Sequence, residues 1–181
     1  ETVLKITRNL TILVIGITSL YLINLFYMKP FSIDHFLGKE LAMELVDSPE
    51  ALTYIGIFDR FNWITKHNSK LSIPEDDDLE NEINKTKGII RNLYKYEDVN
   101  LSDTQKSTKK IAIFDYENNL KELQDFPYHD YPLNQIGGIH LNTIEFMSDM
   151  HPVRNKNEAS DFIKRVNLIK EVYEGIATEL E

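Results

Sequence analysis

The chain has 181 residues, no cysteine and a formal charge of −9. Without cysteine it holds no disulfide, thiolate metal site or cysteine nucleophile, and its acidic surface would repel nucleic acid. Because 42% of the residues are hydrophobic and 27% are charged, we expect one folded globular domain.

The first predicted element is an uncharged run of 19 residues, from Leu10 to Met28. A helix that crosses the apolar core of a bilayer needs about 20 such residues. A buried core helix and a cleaved signal peptide are the alternatives, but the end of the run lacks the small residues of a cleavage site. We therefore predict a signal anchor over residues 1–29 that holds the chain in the membrane through 10–28. Residues 30–181 would then lie outside the cytoplasm, in the periplasm or at the cell surface.

Helical spacing of apolar residues returns after this run and predicts a mostly helical, all-α fold with four long helices. The first runs from Ile33 to about Val46. The sequence Ser48-Pro49-Glu50 then marks the start of a short helix that continues through Ile57. Turn-forming residues interrupt the pattern over residues 59–75.

The three remaining long helices have recognisable starts or stripes. The acidic run at 76–78 suits the positive end of a helix dipole, and no EF-hand pattern follows it, so we interpret it as a cap and not a calcium site. Ser102 and Gln105 form a predicted capping box for the next helix. The last helix has the most regular apolar stripe, which consists of Phe162, Val166, Ile169, Tyr173, Ile176 and Leu180.

A long loop, DFPYHDYPLNQIGGIH from Asp125 to His140, separates the last two long helices. Its prolines and paired glycines exclude one regular helix, and long polar, aromatic loops are often functional. Hydroxyl, imidazole and amide groups suit holding a peptide backbone or carboxylate. We expect five residues of the loop to bind substrate: Tyr128, His129, Tyr131, Asn134 and Gln135. The structural alternative is that Asn134 and Gln135 cap neighbouring helix ends and the tyrosines fill the core.

Neither a catalytic dyad nor a metal site is predicted in this loop. His129 and Asp130 are neighbours, but adjacent side chains usually diverge and no motif places a nucleophile beside them. His129, His140 and His151 recur every eleven residues, yet the intervening prolines and glycines prevent the single helix that would align them. No residue is therefore assigned as catalytic or metal-binding.

Two segments carry a family resemblance. The first is Tyr128 to Gly138, YHDYPLNQIGG, followed by His151-Pro152-Val153, and the second is Ser48 to Gly56, SPEALTYIG, upstream. Their content and order resemble the bacterial domain-of-unknown-function family 885. The resemblance covers about residues 33–181.

This resemblance implies a largely helical, exported or lipid-anchored protein whose C-terminal part carries the His-Glu-x-x-x-His helix of a zinc peptidase. No two His residues of this chain stand four or five apart with a Glu beside the first. Neither the zinc ligands nor the general base can therefore be carried over, and zinc is expected only in a C-terminal part beyond this chain.

The ends of the chain fit this interpretation. It begins with Glu1, and its last helical pattern continues to Glu181 without a stop signal, so we expect a piece of a longer protein. The prediction is the N-terminal, substrate-cleft-forming portion of a membrane-anchored metallopeptidase, not catalytic by itself, which meets a peptide substrate together with the C-terminal part. The alternative is a stand-alone helical binding or scaffold module without catalysis.

Overall fold

The computed structural model describes residues 2–74, 78–127 and 133–179. These residues form eight α-helices and no strand, which confirms the predicted all-α class. In chain order the helices are α1 (Thr2–Tyr27), α2 (Ile33–Asp47), α3 (Pro49–Ile55), α4 (Asn62–Thr65), α5 (Asp78–Tyr94), α6 (Asp103–Asp125), α7 (Ile139–Glu145) and α8 (Lys156–Glu179). Short 3₁₀ turns cover Asp59–Phe61, His67–Ser69 and Asp98–Asn100, and a π-helical turn covers Phe146–Met150.

Helix α1 contains the uncharged run, and its apolar side chains are exposed, among them Leu10 and Leu20. Within the described residues, Leu4–Tyr27 is the stretch that is long and apolar enough to cross a membrane. A membrane anchor and a signal sequence both have such a helix near the N-terminus. The finding therefore supports membrane association or targeting, and it leaves the side of the membrane open.

The junction between α1 and α2 is fixed by side-chain hydrogen bonds. Asn24 is almost fully buried, donates from Nδ2 to the carbonyl of Lys29 (2.9 Å) and accepts from the N–H of Phe31 (3.0 Å). The hydroxyl of Tyr96, just after α5, donates to the carbonyl of Pro30 (2.8 Å). The exit from α1 is therefore held against the helical domain at two points.

One hydrophobic cluster lies between α2, α5 and α6. Its buried members are Ile33 and Phe36 of α2, Ile89 and Leu93 of α5, and Tyr96. Partly buried residues of α6 cover this cluster, and they include Ile113 and Tyr116. The cluster therefore joins three of the described helices.

A second cluster lies under α8, where Leu71, Val172 and Ile176 are buried. The buried face of α8 coincides only in part with the predicted stripe: Ile176 is buried, whereas Val166 and Tyr173 are 44% and 37% exposed. The helix packs closely on the segment before α5 at Gly175. A Cβ at this position would lie only 2.7 Å from the carbonyl oxygen of Pro74. That contact selects a face which the spacing of apolar residues showed only in part.

Two of the helix starts predicted from the sequence are confirmed, whereas most of the predicted cap at 76–78 lies outside the described residues. The Ser48 hydroxyl caps α3 by accepting from the N–H of Ala51 (3.2 Å). At α6, Ser102 and Gln105 form the reciprocal capping box, with bonds of 3.1 and 3.3 Å. Such caps satisfy backbone N–H groups that have no partner within the helix.

Candidate functional site

The structure describes only part of the loop predicted to bind substrate. Tyr128, His129 and Tyr131 lie outside the described residues, whereas Asn134 and Gln135 lie within them and are exposed. The substrate-binding role of all five residues stays a prediction.

Asn134 shapes the second half of the loop. Its Oδ1 accepts hydrogen bonds from the N–H groups of Ile136 (3.0 Å) and Gly137 (2.7 Å), which is the pattern of an Asx turn. The side chain of Asn142 in α7 donates to the carbonyl of Gly137 (2.9 Å) and ties the turn to that helix. The Oδ1 atom of Asn134 therefore bonds to its own turn and shapes the loop.

Gly138 closes the turn and starts α7. A Cβ at this position would lie 2.6 Å from the backbone nitrogen of Asn134 and 2.8 Å from the ring of His140. The backbone thus approaches the imidazole more closely than any side chain would permit. The Nδ1 atom of His140 is buried and has no hydrogen-bond partner in the described part of the chain.

Arg165 of α8 forms the polar centre of the fold, beneath α7 and its π-helical turn. Its side chain is fully buried (0% exposed), and its guanidinium lies 4.8 Å from the centroid of the Phe146 ring. The guanidinium donates to the carbonyls of Lys70 (2.8 Å) and His67 (2.7 Å). Burial lowers the pKa of Arg165 to about 10, so the group remains charged at neutral pH.

The same guanidinium joins the two segments that carry the family resemblance. From the upstream segment, it donates to the hydroxyl of Thr53 (2.7 Å) and to the carbonyl of Pro49 (3.4 Å). From the downstream segment, it donates to Nδ1 of His151 (2.8 Å). Segments about a hundred residues apart in sequence therefore meet at one side chain.

His151 is held in one tautomer by its two partners. Because a guanidinium only donates, Nδ1 of His151 must accept, and Nε2 carries the hydrogen that faces the carbonyl of Glu158 at 3.3 Å. Burial lowers the pKa of His151, and the nearby charge of Arg165 acts in the same direction. The ring is therefore neutral at neutral pH and serves the packing of α8.

A hydroxyl, an imidazole and a carboxylate lie in line beside this centre. The hydroxyl of Thr65 is 2.6 Å from Nδ1 of His67, and Nε2 of His67 is 3.5 Å from Oδ1 of Asp59. Enzymes that activate a nucleophile with a base also place a hydroxyl, an imidazole and a carboxylate in this order. His67 is only 1% exposed, however, so a substrate could not reach its ring. This geometry favours a structural role, and burial lowers the pKa of His67.

The described residues contain no group of three or more His, Asp or Glu side chains that could hold a metal ion. Zinc in a later part of a longer protein stays an expectation from the resemblance.

The sequence interpretation missed Arg165, although a signal was present. Arg165 stands three residues after Phe162 and four before Ile169, so a charged residue occupies the apolar stripe of α8. A charge on a buried stripe indicates either a paired group or a binding site. Its partners are mostly backbone carbonyls, which no residue pattern reveals.

A comparison of the chain with protein-family models, curated proteins and solved structures finds no match.

Proposed function

We propose that this chain is the membrane-anchored N-terminal part of a longer, family-885-like zinc metallopeptidase, in which it forms one side of the substrate cleft. The zinc ligands and the general base would belong to the C-terminal part. The role of this chain is to hold the loop that contains residues 133–138, and with it the peptide substrate, in a defined position.

The observation that supports this proposal is the position of Arg165. Its guanidinium bonds to Pro49 and Thr53 in one segment of the resemblance and to His151 in the other. The two segments therefore belong to one folded unit, as expected if they occur together because the fold requires both. The loop leaves this unit through α7, whose Ile139 packs against the cluster under α8.

Within the loop, the roles divide between shaping and binding. Asn134 directs its oxygen to the backbone of the turn, so its part is to shape the loop. Gln135 is exposed beside that turn and carries both a donor and an acceptor for a peptide backbone. Tyr128, His129 and Tyr131 complete the proposed binding surface.

The loop variants Gln135→Ala and Tyr131→Phe test this role in the longer protein. If both residues position the substrate, each variant lowers kcat/KM about tenfold, equivalent to about 1.4 kcal/mol. The melting temperature would stay unchanged. A parallel fall of melting temperature and activity would show that the residues are structural and would reject substrate positioning.

The anchor is proposed to remain uncleaved, with residues 30–181 outside the cytoplasm. The junction between α1 and α2 supports an uncleaved anchor, because cleavage after Met28 would remove the hydrogen bonds of Asn24 to Lys29 and Phe31. Membrane fractionation and N-terminal sequencing of the expressed protein test it. A soluble product that starts near residue 30 would show that α1 is a signal peptide.

A stand-alone binding or scaffold module is the second candidate. It is favoured by exposed apolar side chains on α3, on α4 and in the segment between them, where Tyr54 is 68%, Trp63 76% and Ile57 69% exposed. Such surfaces often bind a partner. The reading frame after Glu181 separates the candidates: a stop codon there favours the scaffold, and a downstream zinc-peptidase motif favours the peptidase.

A further inference from the structure

A cavity of about 360 Å³ opens where the chain leaves α1. Its lining comes from the end of α1, from α2 and from the end of α5. Three lysines contribute to it, Lys29, Lys39 and Lys95, and the described residues that line it include no carboxylate. This is a concentration of positive charge in a chain whose formal charge is −9.

Two of these ammonium groups lack a compensating carboxylate. Nζ of Lys29 donates to the carbonyl of Lys95 (2.8 Å) and lies 4.4 Å from the centroid of the Tyr96 ring. Nζ of Lys95 donates to Oδ1 of Asn92 (2.8 Å). Neither lysine forms a salt bridge with a carboxylate that the structure describes. An ammonium group has three donors, so each of these lysines retains donors for a further acceptor.

The third lysine is different. Nζ of Lys39 pairs with the carboxylate of Glu40 at 2.8 Å. The cavity therefore carries two positive charges, from Lys29 and Lys95, that form no salt bridge with a described carboxylate. Nζ of Lys29 is bonded to the backbone of Lys95, and Tyr96 is bonded to Pro30, so the segments that carry the two lysines are held together.

The cavity lies at the level where lipid headgroups would surround α1. The uncharged run ends at Met28, and its 18 helical residues, 10–27, have a length of about 27 Å, close to the thickness of the bilayer core. Phe26 and Tyr27 lie at the cavity and are exposed, as aromatic residues at a membrane interface are. Lys29 follows directly and would enter the headgroup layer.

We propose that this cavity binds the phosphate of a membrane phospholipid whose headgroup has a net negative charge, between Lys29 and Lys95. The source of the phosphate rests on the proposed membrane anchor, whereas the cavity and its charges do not. A bound headgroup, whose phosphodiester carries one negative charge, would offset part of the positive charge of the two lysines and fix the helical domain at a set height and orientation above the membrane.

Calorimetric titration of the chain in uncharged detergent micelles tests the site. Three probes are used: short-chain phosphatidylglycerol, short-chain phosphatidylcholine and inorganic phosphate. We expect phosphatidylglycerol to bind more tightly than phosphatidylcholine. Lys29→Gln and Lys95→Gln should each weaken its binding about fivefold, the effect expected of one lysine near an anionic surface. Gln keeps a donor for the neighbouring acceptor, so the fold is preserved.

Two further variants serve as controls. Lys87→Gln removes an exposed lysine of α5 that does not line the cavity, and it should bind as the unaltered chain does. Lys29→Arg keeps the charge and should bind phosphatidylglycerol with little loss. If inorganic phosphate binds as tightly as phosphatidylglycerol, the phosphate site stands and its source is soluble phosphate.

Equal binding of the two lipids, or binding that survives the Lys29→Gln, Lys95→Gln double variant, would overturn the proposal. The titration needs no bilayer and uses the chain with α1 present. Failure of the membrane anchor in fractionation is therefore a separate result from failure of the phosphate site.

Discussion

Nη1 of Arg165 lies 2.8 Å from Nδ1 of His151, and this bond sets the protonation of the imidazole. A guanidinium has no acceptor, so the bond exists only while Nδ1 carries no hydrogen. Protonation of His151 would place a donor against a donor and two positive charges within the same buried region. The bond therefore couples the stability of the fold to pH.

Replacing Arg165 by Met should destabilise the chain strongly. The change leaves the buried carbonyls of Lys70 and His67 without their donor, and each unsatisfied group costs about 1–3 kcal/mol, so we expect a loss of about 3 kcal/mol or more. Urea unfolding of the full chain in mild detergent, followed by circular dichroism, measures it. A loss below about 1 kcal/mol would show that Arg165 is not required for the fold.

Arg154→Met is the matched control for that experiment. Arg154 pairs with Asp59 and Glu158, but its side chain is 63% exposed. Exposed ion pairs contribute about 0–1 kcal/mol, so this variant should unfold close to the unaltered chain. The contrast between the two arginines separates the buried network from surface charge.

The free energy of unfolding should fall on mild acidification. Burial lowers the pKa of both His151 and His67, so the unfolded chain takes up protons before the folded one as the pH decreases. The contribution of these two histidines to the free energy of unfolding is fully present above their unfolded-state pKa of about 6.5 and is lost as the pH falls below it. The lowered pKa values of Glu158 and Asp161 act only at more acidic pH, below their ordinary values.

His151→Asn isolates the contribution of His151. Asn places an amide oxygen near the position of Nδ1 and can still accept from Arg165, but it does not titrate. The decrease in unfolding free energy between pH 7.5 and 5.5, measured by urea titration at each pH, should be smaller than in the unaltered chain. Exposed His35, changed to Gln, is the control and should leave the decrease intact. An unchanged decrease in His151→Asn would contradict the role of this histidine.

Two adjacent glycines of the loop should respond differently to alanine. At Gly138 a Cβ would approach the nitrogen of Asn134 and the ring of His140, whereas at Gly137 it would meet no atom within 4 Å. Overpacking of this kind costs about 1–3 kcal/mol, so Gly138→Ala should lower the melting temperature and Gly137→Ala should not. Differential scanning fluorimetry of both variants decides it. Equal melting temperatures would mean that the turn adapts to the added methyl group.

The sequence was sufficient for the local features of this fold. Ser48 and the pair Ser102 and Gln105 were predicted as helix caps because capping depends on residues three positions apart. The class of the fold followed from helical spacing for the same reason. These features depend on neighbours in the chain.

The polar centre was beyond sequence reasoning, because its contacts join distant segments. Arg165 meets Thr53 and His151 through a packing arrangement that no local pattern encodes. The stripe of α8 was predicted around Val166 and Tyr173, since apolar residues were expected to be the buried ones. The structure buries Ile176 of that stripe, and it also buries Val172 and Arg165. Arg165 can be buried because backbone carbonyls satisfy its guanidinium.

In the candidate site, the sequence predicted a shaped loop but not which residue shapes it. Asn134 was placed among the substrate-binding residues, and its oxygen bonds to the N–H groups of Ile136 and Gly137. The side-chain amide of an asparagine can form an Asx turn or contact a substrate, so the residue type alone does not show which of the two roles Asn134 has. Gln135 remains the described member of the predicted set that is exposed beside the turn.

Two assays decide whether zinc binding and peptide cleavage belong to a part outside this chain: zinc titration and peptide hydrolysis. Both are measured on residues 1–181 and on the same chain continued past Glu181. A catalytic zinc needs about three protein ligands, and the described residues bring no such group together. We expect residues 1–181 neither to bind zinc tightly nor to cleave peptides, and the continued protein to do both. Stoichiometric, submicromolar zinc binding by residues 1–181 that disappears in His129→Ala would show that the chain has a metal site of its own and that the proposed division of roles is wrong.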